Sequence, residues 1–436
     1  YEICEGLVGS ERCIRDSCFI MPFSRTSQLT SLFILLFSST AQGLRETPLG
    51  TIDVSADLTA IYDSRVFGVS DLSLQSAIEN PVPGISADEL ESSDDFIIKF
   101  SPAVHLSRKV NLVALSGSAG VEVAQYLKNK DKSYVIPITT FNIDFDDTLS
   151  KQKRVSNNAK IRFEAVFDLG QKVGASVLDE DLVSYTYFVA GFNLRYNHSE
   201  KFGVGTGTNY NLRKYQSGST ATRVHQDYST LPISTQAFYI FSEKLDFYID
   251  YTFSRSKSKD ADINLIDSKS HNFSIGANGD LSQKLDGKLG VGYSVVDFDN
   301  DLNPSDKSLS SDISLLWKHN SKTSSNYVLS RGFSPSSQGY SSLSTRFSTG
   351  LNHRFLEDLR GVINVNYTIM DYTYPRQDPQ KARESSSTSL IGFGASINKT
   401  FNEVFSSTFS YDFSYTDRDQ DDFARHLFSG SIRGAF

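Results

Sequence analysis

The chain has 436 residues, with 43 Lys and Arg against 51 Asp and Glu and a net charge of −8. A nucleic-acid binder needs a basic stripe to neutralise phosphates, and this acidic balance argues against one. Only one apolar run is prominent, over 29–37, which excludes a bundle of membrane-spanning helices; 31 Phe and 21 Tyr leave a β-rich chain.

The first methionine is Met21, and all three cysteines (Cys4, Cys13, Cys18) precede it. We expect residues 1–20 to be upstream sequence read in frame rather than native protein. From Met21 the chain shows Arg25, the apolar run 29–37, and the small residues Ser39, Thr40, Ala41 and Gly43. That is the layout of a secretory signal peptide over 21–43, and the run is too short to span a hydrocarbon core, which takes ~20 apolar residues. Residues 44–436 carry no cysteine, so they hold neither a lipid-attachment thiol nor a disulfide.

From residue 50 onward the hydrophobic period is two. Strands are expected over 50–66, 93–106, 111–126, 139–149, 159–170, 184–197, 202–215, 232–241 and 245–255. Nine more follow over 267–280, 286–298, 309–319, 324–334, 341–354, 359–373, 386–400, 404–416 and 423–436. The segment 245–255 is the clearest: Leu245, Phe247, Ile249, Tyr251 and Phe253 fall on one face, Asp246, Tyr248, Asp250, Thr252 and Ser254 on the other.

A soluble sandwich also alternates, so the connections decide. Short turns recur at Ser199-Glu200-Lys201, Ser242-Glu243-Lys244, Ser282-Gln283-Lys284, Asn320-Ser321-Lys322, Leu356-Glu357-Asp358 and Phe401-Asn402-Glu403. Their central residues lie 43, 40, 38, 36 and 46 residues apart, and turns near Arg108 and Lys153 continue the series. Between successive turns lie longer polar segments such as 216–230, 256–266, 298–308 and 374–384. Tight turns at one end and long loops at the other predict an all-β fold: a closed antiparallel transmembrane β-barrel of about 18 strands in the bacterial outer membrane. Closure is required because lipid offers no partner to a free sheet edge. Phe436 ends the chain, preceded at alternate positions by Ile432 and Phe428, and resembles the terminal signal read by the barrel-assembly machinery.

Alternation assigns the faces. Phe96, Ile98, Phe100, Phe163, Phe167, Phe192, Leu194, Val204, Tyr210, Leu289, Val291 and Tyr293 are expected to face lipid. Tyr126, Tyr215, Tyr340, Tyr372, Tyr374 and Tyr415, near strand ends, suit interfacial girdles. Lumen-lining candidates are Lys99, Asp144, Asp146, Arg162, Glu164, Asp168, Arg195, Arg213, Asp246, Asp250, Arg360, Asp412, Arg425 and Arg433. Neither sign dominates, so strong ion selectivity is not indicated, and most of these charges are expected to pair along the wall. Gly203, Gly205, Gly207, Gly290 and Gly292 share the polar face, where glycine permits coiling or close approach of a neighbouring side chain.

No G-x-S-x-G, H-E-x-x-H, C-x-x-C or P-loop occurs, and the seven histidines are scattered. Acidic stretches at Asp297–Asp301 and Asp417–Asp422 lack the glycine and distal glutamate of an EF-hand loop and read as solvated surface. We therefore expect no catalytic residue, metal or cofactor.

The stretch Ile61-Tyr62-Asp63-Ser64-Arg65-Val66-Phe67 resembles the first strand of the putative β-barrel porin 2 family, in which Asn often stands where this chain has Arg65. Asp94-Asp95-Phe96-Ile97 with Ser101-Pro102 resembles its second strand, Ala124-Gln125-Tyr126-Leu127 the end of its third, and Tyr411 to Asp417 with Phe436 its final hairpin. The resemblance implies an outer-membrane barrel and, by name, a pore, with no catalytic residues. The expected function is passive diffusion of small polar solutes, with the connection 68–92 (Pro81, Pro83, Gly84) as a constriction loop or partial plug. An exopolysaccharide-export barrel with periplasmic partners, or a closed receptor or adhesin barrel, are the alternatives. Expected partners are outer-membrane lipid, lipopolysaccharide and the assembly machinery, and no nucleic acid.

Overall fold

A computed structural model of the chain describes residues 45–47, 50–68, 91–146, 160–176, 181–215, 227–258, 267–300, 305–335, 341–373, 385–418 and 422–436. The upstream extension, the signal peptide, Pro81, Pro83 and Gly84, the turn at Lys153, Tyr340 and Tyr374 lie outside the described residues.

The described strands, in chain order, are β1 (Arg45–Thr47), β2 (Gly50–Asp63), β3 (Asp95–Val110), β4 (Val113–Tyr126), β5 (Tyr134–Asp146) and β6 (Ile161–Ser176). Next come β7 (Asp181–Asn197), β8 (Phe202–Tyr215), β9 (Tyr228–Ser242), β10 (Leu245–Ser258), β11 (Ser268–Ser282), β12 (Leu285–Phe298) and β13 (Asp306–Lys318). The last are β14 (Thr323–Pro335), β15 (Ser341–Leu356), β16 (Leu359–Thr373), β17 (Ser385–Thr400), β18 (Phe405–Arg418) and β19 (Phe423–Ala435). Each strand from β2 onward pairs antiparallel with the next, and β19 returns to β2 from Leu427↔Asp63 to Ala435↔Ser55. The result is a closed wall of 18 strands, β2 to β19, in which every strand pairs with a neighbour on each side. The short β1 folds back on the foot of β2, Thr47 opposite Gly50, where β19 has already ended.

The recurrent turns have a local cause. Ser199 Oγ accepts the N–H groups of Lys201 and Phe202, and Ser242 and Ser282 Oγ accept those of Lys244 and Lys284. Asn320 Oδ1 takes the N–H groups of Lys322 and Thr323, and Asn402 Oδ1 those of Val404 and Phe405. A short polar side chain that satisfies its own turn's amides stabilises the reversal at that point. At the short-turn end β5 is described to Asp146 and β6 from Ile161, and the turn expected near Lys153 falls between them, outside the described residues. β6 and β7 run past their expected ends, so only 177–180 joins them at the long-loop end.

Prolines sit where ladders break. Pro102 falls between the rungs Phe100↔Val123 and Ala103↔Gly120, and Pro232 between Thr208↔Ile233 and Asn211↔Thr230. Pro137 stands just before the first β5–β6 rung, Ile138↔Gly170. Lacking an N–H, proline cannot donate to a ladder.

The wall is inverted relative to a soluble domain. Ile249 and Phe409 are 64% and 67% exposed, whereas Asp246 is fully buried. The outer face is apolar and laced by aromatic contacts, such as Tyr251 with Phe273 at 4.6 Å and Tyr411 with Phe428 at 4.8 Å between ring centres. Arg195 on β7 reaches Asp246 on β10 over the two intervening strands, which only the concave side permits.

The girdle expectation needs correction. Tyr126 and Tyr372 are buried on the inner face, and Tyr215 shares that face with Tyr185 and Tyr228. Strand parity decides this: Tyr126 is one residue out of step with the outward Val121 and Val123, which oppose Pro137 and Val135. Tyr415 stays on the outer face opposite Ile391, its hydroxyl donating to Asp422 at 2.5 Å.

Candidate functional site: the inner wall

The polar face converges on the lumen in tiers. At the short-turn end, β5 and β6 bring Asp144 opposite Glu164 and Asp146 opposite Arg162. Arg162 pairs with Glu164 two residues along its own strand. Next to Arg162, across the β6–β7 ladder, lies Arg195. Its guanidinium donates to Asp246 Oδ2 at 2.6 Å and to Asn197 Oδ1 at 3.0 Å, and lies 4.4 Å from the Phe238 ring centre. The path runs over Gly205, whose missing side chain would meet Phe238 at 3.0 Å. The glycines thus clear the wall beneath long side chains, and they have partners: inward Asn193, Asn197, Asn364 and Asn366 each stand opposite a glycine (Gly207, Gly203, Gly394, Gly392) and fill the space above it.

In the middle tier, Tyr248 lies flat over Gly276 and Gly290, where an added Cβ would meet its hydroxyl at 2.6 Å in both cases. Lys288 stands 5.6 Å from the Tyr248 ring centre and pairs with Asp312 at 2.5 Å. Asp250 is buried and accepts a hydrogen bond from Thr252 at 3.0 Å. Tyr187 donates to Asp168 at 3.3 Å.

At the long-loop end the wall carries cations among aromatics. Arg213 stacks over Tyr185 and Tyr228, 5.3 and 5.7 Å from their ring centres. Lys99 pairs with Glu122 at 3.4 Å, and Tyr134 donates to the same carboxylate at 2.8 Å. Arg425 grips Asp63 with two nitrogens, at 2.9 and 2.5 Å. Nearer the short-turn end Arg433 stands 3.9 Å from Asp57. Arg360 faces Arg354 and Asn398, and Asp412 faces Gly394 and Leu427; neither forms an ion pair with a described residue.

Two inner-wall features escaped the sequence. Lys288 and Asp312 alternate against Leu289, Val291 and Ile313, so parity counting alone would have found them. The other is an apolar patch at the mouth: Val66, at the start of the first long connection, is 1% exposed and packs on Ile97, Ala124 and Tyr126, with Ile61 and Tyr134 at its margin. The connection thus begins by turning inward onto the wall, and the Val66 N–H donates to Ser93 O at 2.7 Å.

A clasp holds the other end of that connection. The buried Asp95 carboxylate accepts the N–H groups of Leu127, Lys128 and Asn129 at 2.8–3.0 Å and the Asn129 amide at 2.9 Å. Asn129 in turn bonds both the N–H and the carbonyl of Ser92 at 3.0 Å. Lys128 pairs with Asp94 at 2.6 Å; that hydrogen bond holds the Asp94 carboxyl below the usual carboxylate range and raises the Lys128 ammonium above its own. At the opposite rim, the hydrogen bond from Lys399 lowers Asp358.

The family model described as putative beta-barrel porin 2 matches residues 85–421, well over half of the chain. None of the curated proteins searched matches. Among solved structures, the outer-membrane protein OpdK of Pseudomonas aeruginosa is 11% identical, covering 88% of this chain and 99% of its own, with a TM-score of 0.44. OccK2 (OpdF) of Pseudomonas aeruginosa in complex with glucuronate is 11% identical over 91% of this chain and 100% of its own, with a TM-score of 0.43. A bacterial polysaccharide outer-membrane secretin is 9% identical over 88% and 98%, with a TM-score of 0.33.

Proposed function

The chain belongs to the putative beta-barrel porin 2 family of outer-membrane channels, and from that premise we propose that its lumen passes small polar solutes of either charge by diffusion. The observation that carries the solute class is the charge pattern of the inner wall: Arg195 with Asp246, Lys288 with Asp312, Lys99 with Glu122 and Arg425 with Asp63 are neutralised pairs set along its length. Paired charges leave little net field to exclude either sign, while their unused donors and acceptors keep the passage wetted. An 18-strand ring is wide enough for an aqueous channel. The reading includes no catalytic step and no resident cofactor.

Lys99, Asp144, Arg162, Glu164, Arg195, Arg213, Asp246, Asp250, Arg360, Asp412 and Arg433 line the passage in this reading. Phe436 serves as the assembly signal: its backbone pairs with Val54 at 2.7 and 2.9 Å, and its ring meets Phe405 edge-on at 6.0 Å. Planar-bilayer recording tests the proposal. Steady openings with weak ion selectivity are expected, and electrical silence after verified insertion would overturn it.

A further inference from the structure

The ring is not laced to the same height throughout. β12 and β13 pair as far as Val296↔Asp306, and β14 and β15 as far as Pro335↔Ser341. Between them, β13 and β14 pair only from Lys318↔Ser324 to Ser311↔Arg331. Beyond that rung, towards the long loops, residues 307–310 and 332–335 flank a split in the wall with no rung between them. Unpaired strand edges are costly in hydrocarbon, so such a split has to be met by water, headgroups or a ligand.

The lining of the split is amphipathic. Leu309 on its outer flank is 71% exposed, and Phe333 alternates to the same outer face opposite Leu343. A cavity of about 390 Å³ extends from Asn272, Ser294 and Asp312 on the lumen wall to Arg331, Gly332 and Phe333, of which Arg331 and Phe333 alternate to the outer face and Gly332 to the inner. Arg331 stands at the foot of the split. Its guanidinium donates to Ser308 Oγ at 3.3 Å across the split and to Thr345 Oγ1 at 2.5 Å, and it has no carboxylate partner among the described residues. A Cβ added at Gly332 would meet nothing within 4 Å.

We propose that the split between β13 and β14 is a lateral portal by which a single-chain monocarboxylate amphiphile moves between the lumen and the outer leaflet, its head held by Arg331 and its chain by Leu309 and Phe333. A guanidinium fork matches a carboxylate in shape, and one uncompensated cation matches a single negative charge better than a dianionic phosphate. A purely hydrophilic solute gains nothing from a door that opens on lipid; an amphiphile does. The proposal relies on the open lumen described above, and its test reports on the two separately.

The probe is labelled dodecanoate, its uptake measured in cells producing the full chain and in cells without it. Gly332→Trp adds bulk beside the split at a position where a Cβ has open space, and Arg331→Gln removes the cation at similar size. Arg331→Gln is expected to cut barrel-dependent dodecanoate uptake by about tenfold, as loss of one charge-assisted hydrogen bond implies, and Gly332→Trp to cut it at least as far by obstructing the split. Dodecanol uptake should fall with Gly332→Trp alone, and liposome swelling by arabinose should persist in both variants. Heat-modifiable migration on gels verifies folding, and Gly332→Leu replaces Gly332→Trp if the larger side chain prevents it. Dodecanoate uptake no greater than in barrel-free cells, or unchanged when the split is obstructed, overturns the portal. Absence of arabinose swelling in the wild type would overturn the channel instead.

Discussion

Cutting the Arg195–Asp246 link tests the inner wall most directly, because that bond joins β7 to β10 across two strands and exists only if the polar face is concave. Asp246 is fully buried and the Arg195 side chain is 18% exposed. Removing one member of a buried pair strands the other charge, at a cost of ~3–5 kcal/mol. Arg195→Gln falls in that range, because it also removes the contact with the Phe238 ring, worth ~0.5–2 kcal/mol. Asp246→Asn should cost less, about 2–3 kcal/mol, since the freed guanidinium swings into the lumen and regains water. The double variant leaves no stranded charge and should cost only about 2 kcal/mol, a coupling of ~3–6 kcal/mol. Guanidinium unfolding in lipid vesicles measures the stabilities, and reversal potentials in a salt gradient measure the lumen. Arg195→Gln should shift the channel towards cations and Asp246→Asn towards anions. Additive stabilities, or shifts of the same sign, would refute the placement.

The Asp95 clasp makes a second prediction: Asp95→Ala takes the acceptor from the N–H groups of Phe96, Lys128 and Asn129 and from the Asn129 amide, and should lower stability by ~3 kcal/mol while raising conductance noise, read by unfolding and single-channel recording. Glycine contacts supply a third. Gly276→Ala would place Cβ 2.0 Å from the Leu289 carbonyl and should reduce the folded fraction severely, whereas Gly332→Ala should fold like the wild type; gel migration separates the two. The fourth concerns pH. Asp94 has a lowered pKa, so its pair with Lys128 contributes fully above the ordinary aspartate value of ~3.9 and is lost only as pH falls through the depressed value. Channel noise should therefore be flat from neutrality down to about pH 4 and rise only below it, and a transition near pH 6 would contradict the assignment. Lastly, Phe436→Ala should lower the fraction of chain assembled in the outer membrane, measured by membrane fractionation.

Local chemistry made much of this protein legible in its sequence. Strand positions follow from a period of two, as at 245–255, and the short turns from Ser199, Ser242, Ser282, Asn320 and Asn402, whose side chains satisfy amides two or three residues away. Arg195 and Asp246 share the polar face of the wall because alternation is strict within a strand. The polar-in rule failed at the mouth. Tyr126 lies on an inner wall that is itself apolar there, because Val66 from a distant connection covers it.

Tertiary structure alone decided what meets across strands. Arg195 and Asp246 are 51 residues apart and touch because the sheet curves, over a glycine that clears the path. The Asp95 clasp joins segments more than 30 residues apart. The break beyond Arg331 reflects how far three successive ladders extend, which no single strand encodes. Periodicity and turn chemistry act within a few residues and can be read along the chain. Curvature, shear and ladder length are properties of the closed ring, set only when every strand has found its neighbour.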